Sequence, residues 1–297
     1  MTKASIGFIG LGVMGEPMCR NLATRVGRPM IGFDLKPEPL ARLAPLGVKT
    51  ATSLAAAVQE AETVILSLPG EPELRRVCLE PDGVLAHCRG GQTIIDTSTA
   101  PPALARDLAE RFAAKGVAFA DAPIARTRQA AAEGTLSIMV GASDELFARI
   151  RPLLALMGRE ITHCGPVGTG QVVKLLNNMV LFETVNAVCE ALAIGTRAGL
   201  DGKLLLETLA RGSADSFALR NHGLKSALPE IYPTDAFSVR YALKDLTYAL
   251  DLARETGIKA EGAVLLRSLF ERAIDAGLGE SYHPVIRKVI EGYERDT

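Results

Sequence analysis

The sequence predicts an α/β chain in two parts: a doubly wound, mainly parallel sheet domain, then an all-α C-terminal domain entered through one long helix. Three observations predict it. Apolar runs of four to six residues alternate with helical stretches through the first half of the chain, which is the pattern of βα units. The first of these runs leads straight into glycines at positions 10, 12 and 15 and then into a helical stretch, the order strand, tight turn, helix. Past Gly165-Pro166 the strand-like runs stop and every later segment has a helical period. The boundary is therefore expected near Gly165, with domains of residues 1–165 and 166–297.

Residues 5–34 organise the rest. Ile6-Gly7-Phe8-Ile9 reads as a strand and Gly10-Leu11-Gly12-Val13-Met14-Gly15 as a G-x-G-x-x-G turn; Met30-Ile31-Gly32-Phe33 is a second strand that closes in Asp34. Gly10 permits the tight turn. Gly12 lets a pyrophosphate approach the backbone at a helix N-terminus, where unpaired N–H groups and the positive end of the dipole meet it, and Gly15 lets helix and strand pack closely. Asp34, about 20 residues further on, is placed to accept hydrogen bonds from a ribose hydroxyl. Glycines cluster in many turns, so the triplet alone is weak; strand, helix and acid together specify a Rossmann-type dinucleotide site. A carboxylate at 34 repels a 2′-phosphate and no arginine follows it, so NAD is expected ahead of NADP, with Lys36 the feature on the other side.

The remaining elements follow in order. Helices are expected over residues 37–46, leading to Val48, and over 54–61. A strand over residues 63–68 is closed by Pro69-Gly70. Thr93–Asp96 is the next strand, followed by Thr97-Ser98-Thr99, a helix over 103–115 and a strand over 117–122. Two further strands, 136–140 and 161–164, flank a helix over 144–157. In parallel sheets the ligand sits past the carboxyl ends of the strands, so Leu68-Pro69, Ser98-Thr99 and the loop after Asp121-Ala122-Pro123 share the ligand edge. Each is also ordinary loop chemistry. Beyond Gly165 come one long helix over 170–199, apolar nearly all round as a helix buried among neighbours is, and helices over 202–211, 241–255, 261–276 and 284–294.

Composition excludes several classes. The 33 basic and 34 acidic residues nearly cancel, so no global field draws nucleic acid or an anionic membrane. The start lacks a basic segment followed by a long apolar run, so no secretory signal is expected, and no window holds the ~18 uninterrupted apolar residues of a membrane span. Five scattered cysteines without a C-x-x-C pair read as reduced packing thiols in a cytoplasm. The four histidines show no ligand spacing, and no metal is expected.

Within the long helix, Lys174 and Asn178 are four apart and share a face. A lysine among Val172, Val173, Leu175 and Leu176 either snorkels to solvent or points into a cleft between the domains. In a cleft, partial burial would lower its pKa towards the working pH, which suits proton exchange with an alcohol oxygen. Spacing alone leaves a solvated lysine as the alternative.

The chain resembles the β-hydroxyacid dehydrogenase family along essentially its whole length. The likeness rests on Gly10-Leu11-Gly12-Val13-Met14-Gly15 with Pro17-Met18, Asp96-Thr97-Ser98-Thr99, Asp121-Ala122-Pro123 with Gly134-Thr135-Leu136, Gly168-x-Gly170-x3-Lys174-x2-Asn177-Asn178, and Lys244-Asp245-Leu246. The resemblance implies reversible hydride transfer between NAD(P) and the β-carbon of a small anionic 3-hydroxy acid, and a homodimer or homotetramer formed mainly through the helical part. It implies that Lys174 is the general acid or base and that Asn178 orients the substrate. By the same likeness Ser98 and Thr99 lie near nicotinamide and substrate, Leu68 and Pro69 line the cofactor, and Lys244 closes over it. One departure stands out. Where the family usually has Ser-Gly-Gly, this chain has Ala125-Arg126-Thr127-Arg128. Arg126 and Thr127 thus stand where the acid group binds, and a guanidinium fork suits a carboxylate, sulfonate or phosphonate. Arg-Thr there is similar to the sulfolactaldehyde reductase branch, whose next residue is a serine; here it is Arg128. Arg128 also reads as a solvated loop charge. A second class, a non-catalytic dinucleotide-binding interaction protein, would be expected to replace the lysine that this chain keeps.

Overall fold

The computed structural model describes residues 5–293. Two compact units divide the chain, one up to Lys174 and one from Leu175. The first holds a nine-stranded sheet: β1 (Ile6–Ile9), β2 (Met30–Phe33), β3 (Val48–Thr50), β4 (Thr63–Leu66), β5 (Thr93–Asp96), β6 (Ala118–Asp121), β7 (Ile124–Ala125), β8 (Leu136–Gly141) and β9 (Gly158–Gly165). The spatial order is β3-β2-β1-β4-β5-β6-β8-β7, with β9 paired to β8. The pairs from β3 through β6 are parallel, whereas β8 runs antiparallel to β6 and β7. The order reverses at β1 and β4, the switch point at which an open α/β sheet binds its ligand.

Both faces of this sheet are buried, and strand alternation divides the apolar residues between them. Phe8, Ile65, Ile95 and Ala120 pack on one side with Met18 and Leu22 of the Gly15–Arg25 helix and Leu146 and Ile150 of the Asp144–Leu154 helix. Ile9, Val64, Leu66, Ile94 and Phe119 face the other, against Val58, Leu74, Leu104, Leu108 and Phe112. Each fully buried Leu, Ile or Phe contributes about 1.5–3 kcal/mol. Helices on two faces of one sheet are the doubly wound arrangement that the alternating pattern predicts.

Differences from the sequence reading are local. The strand expected over 63–68 ends at Leu66, since Leu68 N–H turns to the Ser98 hydroxyl and Pro69 has none to give. A helix at Glu71–Leu79 follows, unforeseen because the turn signal Pro69-Gly70 masks it; Pro72 fits its first turn and Leu74 and Cys78 bury its inner face. Between β7 and β8 lies a further short helix, Arg128–Glu133.

The second unit is helical among its described residues: the remainder of Thr169–Arg197, then Gly202–Leu209, a π-type segment Leu219–Ala227, Val239–Glu255, Glu261–Asp275 and Ile286–Ile290. The helix expected over 284–294 begins instead as a 3-10 turn, His283–Val285, and its expected end at Glu294 lies outside the described residues. Phe182, Val185, Leu192, Leu246, Leu266 and Phe270 form the core. Thr169–Arg197 has a mean hydropathy of 1.4 over 18 residues, long and apolar enough to cross a membrane. A count of uninterrupted apolar residues does not register this, because Glu183, Asn186 and Glu190 break the run without lowering its mean that far. Its Phe182, Val185 and Leu192 are nevertheless buried in the unit's own core.

Candidate active site

The glycine turn has the shape a dinucleotide needs. Gly10 is at φ +89°, and a Cβ there would lie 2.2 Å from the Ser67 carbonyl oxygen. A Cβ on Gly15 would lie 2.0 Å from the Gly10 oxygen, whereas one on Gly12 would meet no heavy atom within 4 Å. Two glycines therefore serve close packing and the third leaves open space above a helix start, where a pyrophosphate fits. Leu11 N–H donates to Asp34 Oδ2 at 2.6 Å and Lys36 N–H to Oδ1 at 2.8 Å, so the carboxylate is oriented from both sides. Each of its oxygens keeps a lone pair for a ribose hydroxyl. Val13 is exposed at the turn, while the Leu11 side chain is buried beneath it. Glu16, in the first turn of the helix, is held below its ordinary range by the Arg42 guanidinium, which donates to both of its oxygens.

Next along the strand ends, the Ser98 hydroxyl accepts Leu68 N–H at 2.9 Å and Ser98 N–H donates to Asp96 Oδ1 at 3.0 Å. Asp96 is fully buried, and its other oxygen has no hydrogen-bond partner. Burial pushes its carboxyl up to about 7, against the Ser98 hydrogen bond and with help from the charge of Asp121, its register partner on the next strand. Asp121 is pushed up to about 6 by burial, against hydrogen bonds from two N–H groups: Gly168 to Oδ1 at 2.7 Å and Gln171 to Oδ2 at 2.8 Å. These are the N–H groups that the start of the Thr169–Arg197 helix leaves unpaired. Gln171 is itself buried; its amide donates to the Ser98 carbonyl at 2.8 Å and accepts Ala100 N–H at 3.1 Å. Lys174, one turn further, is 8% exposed.

The Arg126-Thr127 loop leaves β7 on the same unit. Arg126 is one of two non-glycine residues with positive φ among those described, at 89°, and its guanidinium donates to the Thr135 carbonyl at 3.3 Å. The Thr127 hydroxyl accepts Ala130 N–H and caps the Arg128–Glu133 helix. Both side chains are exposed.

In the second unit, Asn178 is 4% exposed and donates to Asp245 Oδ2 at 2.7 Å. Lys244 Nζ lies 3.1 Å from the other Asp245 oxygen and over the rings of Tyr241 and Tyr248. The structure thus joins Gly10 to Gly15, Asp34, Leu68 and Pro69, Ser98 and Thr99 along one sheet edge, ties the lysine helix to that edge, and separately joins Asn178 to Lys244 through Asp245. Among the described residues of the first unit, no hydrogen bond joins Arg126 or Thr127 to the groups along that sheet edge. Sequence reasoning overlooked Asp121, Gln171 and Asp245 as site residues; the signal for the first was an acid closing a buried strand.

Comparison with known proteins agrees. Residues 5–165 match the NAD binding domain of 6-phosphogluconate dehydrogenase, and residues 168–290 match a domain described as the NAD-binding domain of NADP-dependent 3-hydroxyisobutyrate dehydrogenase. A 3-hydroxyisobutyrate dehydrogenase of Pseudomonas aeruginosa is 39% identical over 89% of this chain and 90% of its own. The chain belongs to the β-hydroxyacid dehydrogenase family. An NAD-dependent L-serine dehydrogenase of the same organism is 34% identical over 96% of this chain and 97% of its own. The structure of Mycobacterium tuberculosis 3-hydroxyisobutyrate dehydrogenase with L-serine superposes with a TM-score of 0.86 at 30% identity, covering 98% of this chain and all of that one. This β-hydroxyacid dehydrogenase is therefore an NAD(P)-dependent oxidoreductase acting on CH–OH groups, with a Rossmann-like sheet unit and a helical unit.

Proposed function

We propose that the enzyme interconverts a small 3-hydroxy acid, of the 3-hydroxyisobutyrate or L-serine kind, and its semialdehyde, with Lys174 as the proton-transfer group. The observation that carries this reading is the buried Lys174, set one helical turn past a glutamine bonded to the Ser98 loop at the sheet edge. A nicotinamide bound there would supply the hydride chemistry at the β-carbon. Gly10 to Gly15, Asp34, Leu68, Pro69, Thr99 and Lys244 hold the dinucleotide in this reading. Lys174 takes the hydroxyl proton in oxidation and returns it to the carbonyl oxygen in reduction. Asn178 and Ser98 orient the substrate, Asn178 with its amide set by Asp245. General acid–base groups contribute about 10²–10⁴-fold, so Lys174→Met should lower kcat by that order while NADH still binds. Near-normal turnover in Lys174→Met and Lys174→Ala would end the assignment.

Asp34 supports NAD over NADP, because a 2′-phosphate would face a carboxylate; tighter binding of NADPH than NADH would contradict this. A homodimer or homotetramer in the cytoplasm belongs to the same reading, supported by exposed apolar side chains such as Val180, Ile194 and Leu204; a monomer by light scattering would remove that part.

A second reading, a sulfonate aldehyde as substrate, is favoured by Arg126 and Thr127 standing where the family has Ser-Gly-Gly. Turnover of sulfolactaldehyde is compared with that of methylmalonate and tartronate semialdehydes, in the parent and in Arg126→Gly. A sulfonate enzyme loses its preferred substrate selectively on that substitution. Equal loss with all three leaves the carboxylate reading in place.

A further inference from the structure

Lys174 sits one helical turn past Gln171, which with Asp121 at the end of β6 touches no expected ligand yet carries an unusual share of buried polar bonding. Asp121 closes β6 with no exposed surface, and its two oxygens each take one N–H from the start of the lysine helix, Gly168 at 2.7 Å and Gln171 at 2.8 Å. Gln171 is equally buried, and its side-chain amide bridges the Ser98 carbonyl and Ala100 N–H. Ser98 in turn takes Leu68 N–H. An unbroken line of hydrogen bonds thus runs from the β4 end through the β5 loop to a side chain three positions before Lys174. The pocket for the carboxylate is built by omission: a Cβ on Gly141 would lie 2.3 Å from Asp121 Oδ1, and one on Gly170 would lie 2.8 Å from Oδ2.

We propose that Asp121 and Gln171 are positioning residues that fix the axial and rotational setting of the Lys174 helix against the strand-end loops, so that the lysine amine meets the reacting oxygen. This rests on the reading of Lys174 as the proton-transfer group. A helix start held only by water can slide or turn by a fraction of a residue; one held by a carboxylate on two N–H groups and an amide on two loop groups cannot do so without leaving buried polar atoms unpaired. A displacement of about 1 Å costs on the order of 10²-fold in rate.

The test is a pair of substitutions in the full-length enzyme, Gln171→Met and Asp121→Asn, each also made in the Lys174→Met background. Gln171→Met is expected to lower kcat by roughly 10²-fold, with the hydroxy acid KM and the NADH dissociation constant each within about threefold of the parent. In the Lys174→Met background the same change is expected to cost nothing further in single-turnover measurements. Should Asp121→Asn fail to fold, Gln171→Met carries the comparison alone. A kcat near the parent value in Gln171→Met, or an equal fractional loss in both backgrounds, overturns the positioning role. If Lys174→Met turns over normally, the lysine reading falls and the positioning role with it; if Lys174→Met is dead and Gln171→Met is not, only the positioning role falls.

Discussion

A methyl group added to Gly12 would meet nothing, while one added to Gly15 would run into the Gly10 carbonyl. The two glycines of one motif therefore answer different demands, one to the ligand and one to the fold. Gly12→Ala is expected to keep the parent melting temperature and to lose at least tenfold in NADH affinity, read by fluorescence titration. Gly15→Ala is expected to lose about 1–3 kcal/mol of stability or more through the overpacked contact, read by denaturant unfolding. Parent-like NADH binding by Gly12→Ala would mean that the open space above that residue is not where the pyrophosphate lies.

Among elements, the loop between β7 and the Arg128–Glu133 helix is built against local preference. A non-glycine residue at φ 89° costs about 1–3 kcal/mol unless its surroundings repay it, and Arg126 is exposed, with one long hydrogen bond to Thr135. Arg126→Gly, the variant used to compare acid groups, should therefore unfold at higher denaturant than the parent. A less stable Arg126→Gly would mean that the Thr135 contact outweighs the strain. The fold was legible in the sequence wherever the signal was local. The glycine spacing, the apolar run of each of β1, β4 and β5 and the long apolar helix each fall within about thirty residues. What escaped notice was non-local or masked. Asp121 meets its partners 47 and 50 positions away. The Glu71–Leu79 helix hides behind a Pro-Gly turn. The π-type segment Leu219–Ala227 has no sequence signature of its own.

For the whole molecule, acid acts on the two units with opposite sign. In the second unit His222 and His283 are buried side by side, His222 bonded to the Tyr282 hydroxyl at 2.6 Å. Burial lowers His222 to about 4 and His283 well below its ordinary value, so both are neutral in the fold. The unfolded chain, with its histidines near 6.5, binds more protons than the fold as pH falls from about 6.5 towards 4. This unit therefore loses stability across that window, on the order of 3 kcal/mol from His222. In the first unit Asp96 and Asp121 are raised to about 7 and 6, so the fold binds protons before the unfolded chain does and gains stability from about pH 7 down to 4. Hydrogen exchange at pH 7.5 and pH 5 should show protection falling in the second unit and holding or rising around β5 and β6; a uniform change would refute the opposition. The cradle around the Asp121 carboxylate also bears on descent. Positions 121, 141 and 170 lie far apart in the gene, yet a side chain gained at either glycine evicts the acid, and a larger group in place of the acid has nowhere to go. A descendant that gains a side chain at position 141 or 170 and keeps the acid has therefore had to rebuild the entrance to its lysine helix.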